Sequence, residues 1–216
     1  MLILSLLQQS PIYLVAFIVA LLLGFTVHEY AHAWMAYRCG DPTAKVEGRL
    51  TLNPFVHLDP LGTIFLLLVG FGWGRPVPIN PNNFHKPSDE IKVSVAGIVA
   101  NLILAFILGI PIRIALLTGH TIDSSVTLSV INIIIDINLV LAAFNILPVY
   151  PLDGSHIVEH YLSDHAKIGF RQYGPIILLA LLIFDRVSNY PILYSIMEPV
   201  LRLLSFLVKG TFSFFI

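Results

Sequence analysis

Residues 11–37 form an apolar run long enough to cross a bilayer, yet His28, Glu29 and His32 lie inside it. About 20 mostly apolar residues in succession make a membrane-spanning helix. Ionisable side chains at that depth are costly and mark a functional site by default. Any fold of this chain must therefore accommodate three such groups within one apolar helix. Two further spans are predicted at 91–117 and 126–147, the second interrupted by Asn132, Asp136, Asn138 and Asn145. Residues 174–184 and 191–208 predict two more, joined by a turn at 185–190, the first of them starting as early as Ile168. Composition agrees, with 56% of residues hydrophobic and 12% charged, against about 45–50% and roughly 25% in an ordinary soluble domain. That balance excludes a soluble globule, and disorder has the opposite signature. The formal net charge of -1 gives no reason to expect a nucleic-acid partner. The single cysteine, Cys39, rules out an internal disulfide and matches no thiol metal site.

The shorter segments complete the expected architecture. Residues 61–72 are apolar but too few to cross, and they run into the glycine-rich Gly70-Phe-Gly-Trp-Gly74. Such a segment re-enters the membrane or packs within the bundle, because irregular backbone at that depth must be shielded by protein or face water. Four prolines (Pro76, Pro78, Pro81, Pro87) and three asparagines make 74–87 an ordered, extended loop, and 46–52 alternates enough for a short strand. The expectation is an all-α polytopic membrane protein with five to six transmembrane helices, a re-entrant segment and a short β element on the cytoplasmic side. Basic loops stay in the cytoplasm. Arg38, Lys45, Arg49, Arg75, Lys86, Lys92, Lys167 and Arg171 fall on one side if 61–72 re-enters, leaving Arg113 and Arg186 on the other. This predicts an amino terminus outside the cell and those loops inside it. The first 25 residues lack Lys, Arg and a small-residue cleavage site, which argues against a removable signal peptide. No internal repeat is visible.

His28-Glu29-Tyr30-Ala31-His32 has the form H-E-x-x-H. On a helix, positions i and i+4 share a face, so His28 and His32 can offer two imidazole nitrogens to one ion, with Glu29 placed to act as general base on a water. Zinc suits two His and one carboxylate with an open fourth position. The best third ligand is Asp153, in Asn145-Ile-Leu-Pro148-Val-Tyr-Pro151-Leu-Asp153-Gly154. Pro148 and Pro151 break the helix, leaving Asp153 on a bent, extended segment, and the charge count brings it to the same face of the membrane as the first motif. On its own, Asp153 reads equally well as a turn carboxylate or helix cap.

With both motifs in view, the chain resembles the site-2 protease family of intramembrane zinc metalloproteases, in its compact bacterial form. Leu58-Asp-Pro-Leu-Gly-Thr63, the stretch from Gly72 to Phe84, and Gly97-Ile-Val-Ala-Asn101 add to the likeness, which covers about 25–156. The resemblance implies one zinc ion per chain held by His28, His32 and Asp153, with Glu29 as base. It implies that Asn145 lies beside the site, where its amide steadies an oxyanion or the substrate, and that Asn101 bonds substrate backbone or braces helices. The implied activity is hydrolysis of peptide bonds in or near transmembrane segments of other proteins, in the plasma membrane, with the site toward the cytoplasm. The implied organisation is a single domain over 1–216, with a catalytic core at about 11–156, C-terminal helices at about 168–210, and no room for a PDZ-like or nucleotide-binding domain. Oligomeric state is not implied. The sequence departs from the family pattern at Gly154-Ser155-His156, where His156 is a candidate for supporting the metal ligands.

Other constellations compete. His156-Ile-Val-Glu159-His160 spells the inverted form H-x-x-E-H. A divalent-metal transporter would also place His and Asp in spans, but it predicts further ligands along a path and internal repeats. An inactive scaffold is the third reading, opposed by the intact Glu29. Asp136 is expected to pair with a polar neighbour, Arg113 being the candidate. His57, His85, His120 and His165 read as exposed loop histidines, and Gly24, Gly97 and Gly109 as close helix contacts. Residues 46–52 are the expected edge for an extended substrate.

Overall fold

The computed structural model describes residues 10–69, 72–119, 126–188 and 190–212, without the side chains of 67–69 and 186. His120 and most of the polar break at 118–125 lie outside that set. The helices are α1 (Pro11–Arg38), α2 (Thr43–Val46), α3 (Pro60–Val69), α4 (Asp89–Leu117), α5 (Val126–Asn145), α6 (Asp153–His160), α7 (Asp164–Val187) and α8 (Ile192–Lys209). Four of these segments are long and apolar enough to cross a membrane: Pro11–Arg38, Asp89–Leu117, Val126–Asn145 and Asp164–Asp185. The protein is a helical, multi-pass membrane protein with four candidate spans among the described residues, fewer than the five to six expected. The difference lies at both ends of the apolarity scale. α3 has ten residues, roughly 15 Å of helix. α8 carries Glu198, Arg202 and Lys209, which reduces its standing as a free lipid span.

Ser10 caps α1 by accepting from the Ile12 amide, and Pro11 occupies the first turn, where a missing N–H costs nothing. The core is a three-helix unit. α1 runs antiparallel to α4, because His28 meets Asn101 and His32 meets Val93, and parallel to α5, because Ala16 and Ala20 pack on Ile133 and Ile137 while Gly24 meets Leu141. Small residues permit the close approach. Ala16 and Ala20 pack on Ile133 and Ile137, and a Cβ on Gly24 would lie 2.6 Å from Leu141 Cδ1. α8 packs on α4 and α5, with Gly109 pressed on Val208, while α7 packs on α8.

Three expectations are corrected here. Residues 46–52 form no strand: Val46 closes α2, Gly48 turns the chain at φ 69°, and the Arg49 amide donates to Ala44 O. Alternation alone is a poor guide because a strand needs a backbone ladder, and the only bridge among the described residues joins Leu58 to Gly74. Asp136 pairs with Lys209 at 2.6 Å, both buried, whereas Arg113 donates to the Phe206 and Leu207 carbonyls at the end of α8. His57 is buried at 1% exposure, its Nε2 bonded to Thr51 O at 2.9 Å.

Beyond α1, Asp41 ties the helix end to the following loops. Its carboxylate accepts from the Thr43 and Asn80 amides and from Asn83 Nδ2. Burial alone would raise its pKa, but these donors outweigh it and hold the carboxyl below its usual value.

Candidate metal centre

Two turns of α1, the start of α6 and one face of α4 build the site. His28 and His32 project from the same side of α1, their Nε2 atoms 2.9 Å apart. Asp153 Oδ2 lies 3.1 Å from His28 Nε2 and 3.3 Å from His32 Nε2. Asp153 is the first residue of α6 rather than part of an extended stretch. Gly154 lets the helix start there, since a Cβ on it would meet the Ile146 carbonyl oxygen at 2.3 Å. These three are the one group of His, Cys, Asp or Glu residues among those described whose ligand atoms converge within 4.8 Å.

The opposite edges of the rings fix the tautomers. His32 Nδ1 lies 2.7 Å from Val93 O, which can only accept, so Nδ1 carries the proton. His28 Nδ1 lies 2.7 Å from Asn101 Oδ1. Asn101 Nδ2 is engaged with Gly24 O at 3.2 Å and Asn138 Oδ1 at 2.9 Å, so its oxygen faces His28 and the ring again donates. Asn138 is held in turn by its own bond to Ile134 O at 2.8 Å. Both Nε2 lone pairs are thereby aimed at the carboxylate. Asn101, fully buried, sits behind the imidazole and does not line the cavity.

Glu29 Oε2 accepts from the Val77 amide at 3.1 Å, so a backbone donor from the 72–80 segment orients the second residue of the motif. Glu29 and the three converging residues line a cavity of about 850 Å³. The cavity continues between α1 and α5 on one side and α7 and α8 on the other, where Leu21, Val140, Leu178, Leu182 and Met197 make it apolar. Asn145 also lines it, its Nδ2 donating to Leu141 O at 3.0 Å within its own helix. His156 also lines the cavity, but its Nδ1 faces two carboxylates outside the ligand set, 3.4 Å from Glu90 Oε1 and 3.8 Å from Glu159 Oε2. Glu159 is paired with Arg171, and the His160 ring packs edge-on against Tyr161, so the inverted motif does not assemble a ligand set.

The partners not foreseen from sequence are Val93 O, the Val77 amide and Asn138, while Gly97, expected as a close helix contact, lies against the two imidazoles. Positions 93, 97 and 101 recur at helical spacing, a signal that one face of α4 backs the imidazoles.

Peptidase family M50 matches the chain over residues 16–113 and 107–184. The chain belongs to peptidase family M50. Among its relatives, "Putative zinc metalloprotease YwhC" of Bacillus subtilis is 42% identical over 199 residues, covering 87% of this chain and 90% of that protein. "Putative zinc metalloprotease Rip2" of Mycolicibacterium smegmatis is 29% identical, covering 78% and 67%. "Regulator of sigma-E protease RseP" of Escherichia coli is 32% identical over a shorter stretch, 45% of this chain and 26% of that protein. No solved structure matches.

Membership of M50 implies a zinc ion, and the residues fit one. Asp153 Oδ2 is buried with no hydrogen-bond partner, although two imidazole nitrogens face it. Three electron-rich atoms converge without a shared proton, an arrangement that a divalent cation stabilises. Their separations of 2.9, 3.1 and 3.3 Å compare with edges of roughly 3.3 Å for a tetrahedron of ligands at the usual zinc distances.

Proposed function

We propose that this M50 chain is a zinc-dependent intramembrane endopeptidase in which His28, His32 and Asp153 hold the metal and Glu29 is the general base. The observation that carries the reading is the convergence of two imidazoles and a carboxylate beside Glu29, at a cavity walled by apolar helices. Zinc, when bound, supplies a Lewis acid and lowers the pKa of water toward about 7. Glu29 takes the proton from the attacking water and delivers it to the leaving amine, held for this by the Val77 amide. Asn145 exchanges its bond to Leu141 O for the oxygen that becomes negative on the substrate. Asn101 and Val93 O keep both rings in the tautomer that ligation needs.

The substrate is a transmembrane segment of another protein, which unwinds locally to expose a scissile carbonyl. Segment 72–80, extended beside Glu29, is a better edge for it than 46–52. α3 with the loop after it is the re-entrant element, the amino terminus faces out, and the metal centre lies toward the cytoplasm of the plasma membrane. The basic residues around Arg38, Arg75 and Lys167 support that orientation.

The test uses the protein in liposomes with a labelled, membrane-anchored substrate. Cleavage should stop when a chelator strips the zinc and return when one equivalent is restored. Cleavage by metal-free protein, or zinc flux across the liposome in place of cleavage, would overturn the reading. A second variant probes the brace. Asn101→Leu leaves the His28 Nδ1–H buried and unpaired, so zinc affinity should fall about 10–100-fold in chelator competition. An unchanged affinity would remove Asn101 from the site.

A further inference from the structure

Arg49 stands out among the buried polar residues. It follows α2, is not one of the converging ligands, and only 5% of it is exposed. Burying a guanidinium is expensive unless it is paired, yet among the described residues no carboxylate lies within ion-pairing distance, and Nε is buried without a hydrogen-bond partner. Burial and the like charge of Arg75 act against it, while Glu29 and Glu47 support it from further off. Among the described residues the guanidinium makes one hydrogen bond, from Nη2 to the backbone carbonyl of Arg75 at 2.5 Å. Such an arrangement is a poor source of stability, so what it holds in place is the question.

It holds the peptide that orients Glu29. Arg75 N donates to His57 O at 2.7 Å, and the Arg75 carbonyl takes the Arg49 bond. Two residues on, the Val77 side chain is buried among Ala33, Ala44 and Leu50, and its amide donates to Glu29 Oε2. His57 is itself fixed through Nε2 to Thr51 O. Arg49 and His57 thus hold Arg75 by its carbonyl and its amide, two residues before the amide that Glu29 grips. We propose that Arg49 is a positioning residue for the reaction: it sets the height of 75–77 and, through the Val77 amide, the direction of the Glu29 carboxylate. This rests on the reading of Glu29 as the base.

Arg49→Met keeps the stem and removes the donor. The expected result is a kcat lower by about 10–100-fold, the scale of a misplaced catalytic group, with KM and zinc affinity within twofold of the parent protein. Hydrogen exchange at the Val77 amide should quicken. Arg49→Lys, whose Nζ can still reach the Arg75 carbonyl, should recover most of kcat. Arg49→Gln, polar but too short, should behave like Met and takes its place if the Met variant does not fold. Parental kcat in both Met and Gln variants would overturn the proposal. So would a loss of zinc affinity in step with kcat, or a Lys variant no better than Met. Glu29→Gln, run in the same assay, separates the two readings: retained cleavage there sinks the base assignment and this inference with it, whereas lost cleavage beside an unaffected Arg49→Met sinks the inference alone.

Discussion

Replacing Glu29 by Gln is expected to lower kcat by about 10²–10⁴-fold, the range general acid–base catalysis supplies, while zinc remains bound with parental affinity. The geometry separates the two effects. Glu29 is not among the three converging ligand atoms, so its charge can be removed without breaking the metal's hold. A Gln side chain retains a carbonyl oxygen at the position of Oε2, and that oxygen can still accept from the Val77 amide, so segment 75–77 stays where it is. What disappears is the capacity to take and return a proton. The measurement pairs single-turnover cleavage of a membrane-anchored substrate with chelator competition for zinc. Loss of both together would mean that Glu29 supports the fold of the site rather than the chemistry. Retention of both would mean that another group carries the proton, and the assignment of Glu29 as the base would fail.

The parts of this molecule legible in the sequence are those whose signal is local. His28 and His32 are one helical turn apart, so the spacing that brings them together is written in four consecutive positions. The spans announce themselves by apolar length, and α1, α4 and α5 lie where that length places them. α7 begins at Asp164, well before its apolar stretch, because its first turns are amphipathic and leave no hydropathy signal. Contacts that carry no residue-type signature were not readable. The Val77 amide that orients Glu29 is a backbone group, and any residue but proline would supply it. The Asp136–Lys209 pair joins positions 73 apart, and Arg113, nearer in sequence, was the natural but incorrect partner. Asn101 has two readings in sequence, and its surroundings support the brace: its amide hydrogens go to Gly24 O and Asn138, its oxygen faces His28, and it is not among the residues lining the cavity. Asn138 itself was visible only as a polar interruption in a span, because its job is to orient a residue that orients a ligand.

Gly97→Ala should weaken zinc binding at least 100-fold and abolish cleavage, although alanine is the better helix former by about 1 kcal/mol. A Cβ at this position would lie 2.4 Å from His32 Nε2, 2.6 Å from His28 Cε1 and 2.8 Å from His28 Nδ1. Neither ring can retreat freely. His28 is bonded to Asn101 Oδ1 and His32 to Val93 O, both at 2.7 Å, and those acceptors stand on the same helix as the new methyl group. If α4 moves away from α1, it withdraws both acceptors and loses the Asn101 bond to Gly24 O. If instead the rings turn, their Nε2 atoms leave the Asp153 carboxylate. Either response breaks the convergence of three ligand atoms, and outer-shell losses alone cost 10–100-fold in metal affinity. Because the substitution favours α4 locally, helical content by circular dichroism should be unchanged, which distinguishes a failed site from a failed fold. Gly169→Ala is the control: it lies in α7 with nothing within 4 Å of the added carbon, and zinc affinity should match the parent protein. Parental zinc affinity in Gly97→Ala would mean that the imidazoles do not rest against α4, and the tautomer argument that aims their lone pairs at Asp153 would fail with it.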